Sequence, residues 1–331
     1  ILKNIISDLY YPNSPYDFTV ISSNILGEIY EVFISETLIV KNNEVILQPK
    51  KENLNRAIVT TPYDVVKFMV SKSLENFTDK KSPDEIKNLR IADIACGSGI
   101  FLTEVLDYLI NYCQDWYERN KKYDHLEETY TNTYKLTYKE KKEILTSCLY
   151  GVDIDYQAVE VAKFSLLLKV LENETEETVT NEKPVLPSLD NNIINGNSLI
   201  DLEMLKDATT DELISINPFS FNNINGGNKF DLIIGNPPYV KTEDMIKLQN
   251  KKEVQAYKSE YYVAYKQFDK YFLFIQRAID LVKDSGEVCY IVPNKFINNV
   301  SGEKIRELIS ENKYLKMFID FNYQQVFKDK T

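Results

Sequence analysis

The tetrad Asn236-Pro237-Pro238-Tyr239 is the stretch whose residue types are best suited to chemistry. Pro237 and Pro238 have a fixed φ and no N–H, so the Asn236 side chain and the neighbouring carbonyls are left as rigid acceptors beside the Tyr239 ring. Acceptors next to an aromatic face suit a flat base that carries an amino group. A bare Asn-Pro dipeptide would be an ordinary strand-ending turn. Here the two prolines follow the apolar run Leu232-Ile233-Ile234, which reads as a strand buried on both faces and stopped at its carboxyl end. That end is where open α/β sheets bind ligands.

A second constellation is Asp93-Ile94-Ala95-Cys96-Gly97-Ser98-Gly99, which joins a strand to a helix through two glycines. Glycines in such a loop let backbone pass close to a ligand. The third glycine of the dinucleotide fingerprint is missing, and no Gly-Lys-Ser/Thr follows, so both nicotinamide binding and a P-loop are disfavoured. The next strand, Leu149 to Asp155, ends in acids. Asp153 stands where a doubly wound fold places the carboxylate that takes ribose hydroxyls, and equally where a helix N-cap would stand.

Other chemistries are disfavoured by what the chain contains. The single His125 sits in a polar run, where a solvated surface side chain is expected, which removes His-dependent triads and His-rich metal sites. The four cysteines, at 96, 113, 148 and 289, show no zinc-like spacing, and none follows a proline as a cytosine-C5 nucleophile would. Pro83-Asp84-Glu85-Ile86-Lys87 crowds its charges into one turn and reads as a helix start rather than as nuclease acids.

The elements that position these groups alternate strand and helix, which predicts an α/β fold with a doubly wound, mostly parallel sheet. A lead segment of mainly helical character spans 1–58. It holds a turn at Ser14-Pro15-Tyr16-Asp17-Phe18, a packing helix through Ile25, Ile29 and Phe33, and a short strand at Val45-Ile46-Leu47. The catalytic domain spans 59–331 and opens on a helix with Thr61 as N-cap and Pro62 at the first helical position. Strands are expected at Leu89–Ile94, Leu149–Asp155, Ile193–Leu199, Leu232–Ile234, Val288–Val292 and Leu315–Phe321, with helices from about Phe101, near 138–147, from Gln157 to Leu171 and over 268–283. Residues 119–140 read as an inserted surface excursion and 172–190 as a long acidic loop.

The 331 residues carry 39 basic and 50 acidic side chains, a net charge of −11, so the surface as a whole is not built to grip nucleic acid. With 44% hydrophobic and 27% charged residues, and neither a membrane-length apolar run nor an opening signal peptide, the chain reads as a cytoplasmic globular protein. It begins at Ile1 and stops abruptly at Thr331, as a fragment of something longer would.

In order along the chain, the Ser14–Phe18 lead, Thr61-Pro62, Asp93–Gly99, Gly151-Val152-Asp153-Ile154-Asp155, Gly196-Asn197-Ser198-Leu199, the tetrad, Phe268-Asp269 to Asn294 and Val326-Phe327 resemble one family. The chain is similar to S-adenosylmethionine-dependent adenine-N6 DNA methyltransferases, above all to the methylase portion of type IIG restriction-modification and related phage-defence enzymes. The resemblance implies a class I methyltransferase fold with S-adenosyl-L-methionine as cofactor and no metal. By position it sets Thr61 and Pro62 against the methionine part of the cofactor, and Asp93 with the Cys96, Gly97 and Gly99 backbone around it. Asp153 would bind the ribose and Ile154 would cover the adenine. Asn197 stands where many relatives carry an Asp that reads the adenine edge.

In the same reading Asn236 and the Pro237 carbonyl hold the target amine, while Tyr239 and Phe327 stack on the two faces of the flipped base. The implied partner is double-stranded DNA, recognised through a C-terminal region beyond this chain, with a nuclease domain or subunit as a further partner and no membrane. Two alternatives share these features. Methylases of release-factor glutamine and of ribosomal RNA also carry Asn-Pro-Pro-Tyr, and a silent DNA-defence subunit could bind cofactor for structure alone.

Overall fold

Parallel strands buried on both faces need helices on either side, and that requirement organises the chain. The computed structural model describes residues 36–41, 44–49, 61–129, 132–180 and 182–321. Within the lead segment, β1 (Glu36–Lys41) and β2 (Glu44–Pro49) pair antiparallel, with Val40 opposite Val45, so the strand expected at Val45–Leu47 is found in β2. The turn at Ser14–Phe18 and the helix through Ile25–Phe33 lie outside the described residues.

The chain continues with α1 (Tyr63–Thr78) and β3 (Ile91–Asp93), followed by α2 (Ile100–Arg119). Next come the small antiparallel pair β4 (Leu126–Glu128) and β5 (Tyr134–Leu136), then α3 (Tyr138–Cys148), β6 (Leu149–Asp153) and α4 (Tyr156–Leu171). After β7 (Ile193–Asn195) and β8 (Phe230–Gly235) the chain forms α5 (Lys251–Glu260), α6 (Lys270–Leu281), β9 (Val282–Tyr290) and α7 (Glu303–Glu311). Among the described residues, five strands form one sheet in the order β7-β6-β3-β8-β9, every pair parallel. The chain leaves β3 toward β6 and β7 on one side and returns to β8 and β9 on the other. The order therefore reverses at β3, the topological position at which open sheets form a ligand crevice at their carboxyl ends.

Alternation along the strands divides the core in two. Ile91, Leu149, Leu232 and Ile234 face a layer built from α1, α2, α3 and α4, with Val70, Leu102, Leu106, Ile144 and Leu166. Ala92, Ile94, Val152 and Ile233 face the opposite layer, with Tyr257, Phe272 and Leu273 of α5 and α6. The side-chain period of two along each strand thus buries both faces.

Several expectations need correction. Thr61 does not cap α1: Pro62, with extended backbone (φ −56°, ψ 136°), holds the N-cap position, and its carbonyl accepts from Val65 N (2.9 Å) and Val66 N (3.1 Å). The strand expected at Val288–Val292 begins earlier, at Val282, and takes in Asp284-Ser285-Gly286 as an irregularity between the Phe230–Val282 and Leu232–Glu287 pairings. Leu315–Phe321 forms no strand. Its apolar residues suit a sheet, but a strand exists only through a ladder, and Leu315, Met317, Phe318 and Ile319 are each about half exposed or more.

His125 is not simply solvated: its Nδ1 lies 2.9 Å from Glu140 Oε1, and its ring stacks on Tyr117 at 4.3 Å. The 119–140 excursion is the ordered β4–β5 pair, and the acidic loop is anchored where Lys135 and Lys141 both close on the buried Glu174. The expected helix start at Pro83 is found, with Ser82 and Glu85 forming a reciprocal cap.

Candidate active site

β8 ends at Gly235, and Asn236 leaves the sheet half-buried at its carboxyl edge. Hydroxyls of two described residues hold the amide of Asn236. Its Nδ2 donates to Thr61 Oγ1 (2.9 Å), 175 positions earlier in the chain. Its Oδ1 accepts from the Tyr239 hydroxyl (2.5 Å), which also lies 2.9 Å from the Ile291 carbonyl. Tyr271 packs edge-on against the Tyr239 ring (5.9 Å, 83°) and donates to the Pro293 carbonyl (3.1 Å). Burial pushes the Tyr239 phenol well above its ordinary range, which keeps it a neutral donor.

The glycine loop leaves β3 beside this corner. Gly97 has φ +50°, and a Cβ added there would meet nothing within 4 Å, so its backbone faces open space. Its N–H donates to Asp153 Oδ2 (2.8 Å), while Asp153 Oδ1 accepts from Asp155 N (2.8 Å). Burial raises the Asp153 carboxyl, and these backbone N–H groups oppose the rise. The cap of α4 is Asp155, whose Oδ1 accepts from Gln157 N (2.9 Å) and Ala158 N (3.4 Å). Asp153 is therefore not the N-cap and stays at the crevice with a half-buried side chain. Asn195 Nδ2 fixes the next turn by donating to the Asp153 and Ile154 carbonyls (both 3.0 Å), and Ile154 is left 50% exposed.

Asp93 lies between the loop and the tetrad. It is only 2% exposed, accepts from Ala95 N (3.0 Å), and burial pushes its carboxyl up to about 8. Gly235 sits directly against it, since an added Cβ would come 2.5 Å from Asp93 Oδ1. Tyr290, paired with Gly235 in the ladder, has a buried hydroxyl with no hydrogen-bond partner among the described residues.

The remaining expected site residues are placed as follows. Pro62 is beside Thr61 at the head of α1 and half-buried. Cys96 is buried, and its part in the loop is played by its backbone: its N–H donates to the Val152 carbonyl (3.1 Å) and its carbonyl accepts from Gly99 N (2.8 Å). Gly99, at φ +86°, begins α2 packed on Ala162. Asn197 is 3% exposed and turned inward. Its Nδ2 donates to Glu253 Oε1 (3.1 Å) and the Ile216 carbonyl (3.3 Å), and its Oδ1 accepts from Leu199 N (3.2 Å). With its amide engaged by the protein, the edge-reading role drawn from the resemblance finds no support in this geometry. Phe327 lies outside the described residues.

Sequence reasoning missed the Thr61–Asn236 hydrogen bond, the Gly235–Asp93 contact and Tyr290. Only Gly235 carried a signal, as a glycine inside a buried strand, which often marks close approach of another group.

The Eco57I restriction-modification methylase family model matches residues 147–327, more than half of the chain and the whole span from β6 through the tetrad to β9 and beyond. The chain belongs to the Eco57I restriction-modification methylase family. It is 46% identical over 329 residues to the type II restriction enzyme and methyltransferase RM.Eco57I of Escherichia coli, covering 99% of this chain and 32% of that protein. It is 24% identical over 257 residues to the type II methyltransferase M.BstVI of Geobacillus stearothermophilus, covering 77% of this chain and 37% of the relative. The chain thus spans about a third of the length of these relatives. Among solved structures, the DrdV–DNA complex shares the fold, with a TM-score of 0.53 at 19% identity over 88% of this chain and 25% of that one.

A methylase of the Eco57I family with this fold takes its methyl group from S-adenosyl-L-methionine, and the crevice fits that cofactor. It offers a carboxylate at Asp153 for hydroxyls, an exposed apolar side chain at Ile154 for a flat ring, and open backbone at Gly97. Among the described residues no cluster of His, Cys, Asp and Glu could hold a metal ion, and no helix is long and apolar enough to cross a membrane.

Proposed function

We propose that this chain transfers a methyl group to the exocyclic N6 amine of adenine in double-stranded DNA, as the modification activity of a restriction-modification or phage-defence system. The observation that carries the reading is the placement of Asn236 and Tyr239 just after Gly235, the end of β8 that lies against Asp93 on the adjoining strand β3, with the Tyr239 hydroxyl donating to Asn236 Oδ1. S-adenosylmethionine, when bound, supplies an electrophilic methyl on a sulfonium. The chain's own residues orient the two reactants.

Asp153 takes the ribose hydroxyls, Ile154 covers the adenine ring, and Thr61, Pro62, Asp93 and the Cys96–Gly99 backbone enclose the methionine part. The conjugated amine of adenine is a poor nucleophile. Acceptance of its two hydrogens by Asn236 Oδ1 and the Pro237 carbonyl favours a pyramidal nitrogen with its lone pair directed at the methyl. Tyr239 stacks on the base, and the resemblance assigns Phe327 to its other face. Held in this way, well-oriented reactants gain on the order of 7–11 kcal/mol. The target must leave the duplex to reach the tetrad.

The test is Asn236→Ala in the full-length protein. Methylated adenine in the DNA of expressing cells should vanish, read by sequencing of modified bases, while calorimetry gives nearly unchanged S-adenosylmethionine affinity. Substantial adenine methylation by the variant would refute the assignment. Methylation by the wild type of release factor or ribosomal RNA, and not of DNA, would refute the substrate.

A further inference from the structure

We propose that Tyr290 is a positioning residue for the cofactor and acts through Asp93: in the loaded protein its hydroxyl donates to the Asp93 carboxylate. This rests on the reading of Asp93 as part of the enclosure of the methionine part. Three adjacent strands carry the argument. Tyr290 ends β9 and pairs with Gly235 at the end of β8. Paired residues of a parallel ladder point to the same face, so the Tyr290 side chain lies on the side of the sheet that a Cβ of Gly235 would take. Such a Cβ would stand 2.5 Å from Asp93 Oδ1, 2.8 Å from the carboxyl carbon and 2.9 Å from Oδ2, so the space beside Gly235 holds that carboxyl. Asp93 reaches this space from β3 on one flank, and Tyr290 stands on β9 at the other. Adjacent strands lie about 4.8 Å apart, a gap that a phenol spans. Any side chain at position 235 would stand between the two groups.

The Tyr290 hydroxyl is buried and has no hydrogen-bond partner among the described residues, a cost that phenylalanine in its place would not carry. Asp93 Oδ1 accepts from Ala95 N (3.0 Å), and among the described residues nothing donates to Oδ2. The titratable groups around Asp93 are Asp153 on β6, Cys96 in the glycine loop and Tyr290 on β9. None of these is a cation, and burial raises the Asp93 carboxyl. Beside the cationic cofactor Asp93 ionises and releases its proton to solvent, and a carboxylate only accepts. Burial raises the Tyr290 phenol well above its ordinary range and keeps it a neutral donor. The unpaired hydroxyl then has its acceptor, and the charge it stabilises on Asp93 is the charge that attracts the cofactor.

The test uses the full-length protein, with S-adenosylmethionine affinity measured by calorimetry and stability by urea unfolding without cofactor. Tyr290→Phe should unfold at the same urea concentration as wild type or higher, because no bond is lost. Its S-adenosylmethionine affinity should fall by about tenfold or more, since hydrogen bonds to a charged group are the strong ones. At pH 7, in buffers of different ionisation enthalpy, it should release fewer protons on binding than wild type does. Added to Asp93→Asn, Tyr290→Phe should lower affinity only slightly further. A Tyr290→Phe variant that unfolds at lower urea assigns the hydroxyl a structural bond and overturns the proposal. Wild-type affinity in Tyr290→Phe, or an equal loss with and without Asp93, overturns it too. If Asp93→Asn alone binds S-adenosylmethionine as wild type does, the reading of Asp93 falls as well. If Asp93→Asn weakens binding and Tyr290→Phe does not, that reading stands and the role of Tyr290 alone fails.

Discussion

The α-carbon of Gly235 lies against the carboxyl group of Asp93, so closely that a methyl group built on it would come 2.5 Å from Oδ1 and 2.8 Å from the carboxyl carbon. The last residue of the strand that carries the tetrad is thereby held against the last residue of the strand that opens the glycine loop. Nothing flexible separates the two, because Asp93 is buried and fixed by Ala95 N.

Gly235→Ala should therefore be costly, although alanine has higher strand propensity. The added methyl must displace a buried carboxyl or part β3 from β8, and such overpacking typically costs about 1–3 kcal/mol. Urea unfolding should show the loss, together with weakened S-adenosylmethionine binding. A variant as stable as wild type would mean the crevice floor yields easily.

Asp93 should make stability depend on pH. Burial raises its folded pKa from the ordinary 3.8 to about 8, with Asp153 adding to the rise and Ala95 N opposing it. The folded state thus holds this proton more tightly than the unfolded chain. The contribution is fully present below about pH 4 and is lost as pH rises toward about 8. Asp93→Asn should flatten the fall in unfolding free energy across that window, measured in urea without cofactor. Equal slopes in the two proteins would place the titration elsewhere. Binding of the cationic cofactor nearby should drive Asp93 to its ionised form, so calorimetry at pH 7 in buffers of different ionisation enthalpy should detect proton release.

Asp153 and Asp155 stand two residues apart and should separate cleanly. Asp155→Ala removes the cap of α4 and should lower stability by about 1 kcal/mol with cofactor affinity kept. Asp153→Ala should weaken cofactor binding with the fold retained. Its hydrogen bond from Gly97 N ties the loop to β6, so some disorder of that loop should accompany the loss. Unchanged affinity in Asp153→Ala, measured by calorimetry, would leave the carboxylate a structural role only.

The sequence by itself determined the alternation of strand and helix, because runs such as Leu232-Ile233-Ile234 and Ile91-Ala92-Asp93 admit few other states when both faces must be buried. It also marked where the backbone must turn at the carboxyl ends of the strands. Glycine at 97 and 99, with positive φ at both, and two prolines after a buried strand are local requirements written in residue type. Register and pairing were not local. Whether Asp153 or Asp155 caps α4 differs by a shift of two residues that composition does not resolve, and only the start of the helix at Tyr156 decides it. The apolar run Leu315–Phe321 has the composition of a strand, yet strand formation depends on a partner that no property of the run itself supplies.

The contacts that finish the site, Thr61 with Asn236 and Gly235 with Asp93, join residues 175 and 142 positions apart. Thr61 taken alone had an ordinary explanation as a cap, and Gly235 alone signalled close approach without naming its partner. Their roles come from the parallel order β6-β3-β8 and the docking of α1 beside it, which bring distant hydroxyl, carboxyl and amide groups within hydrogen-bonding or contact distance.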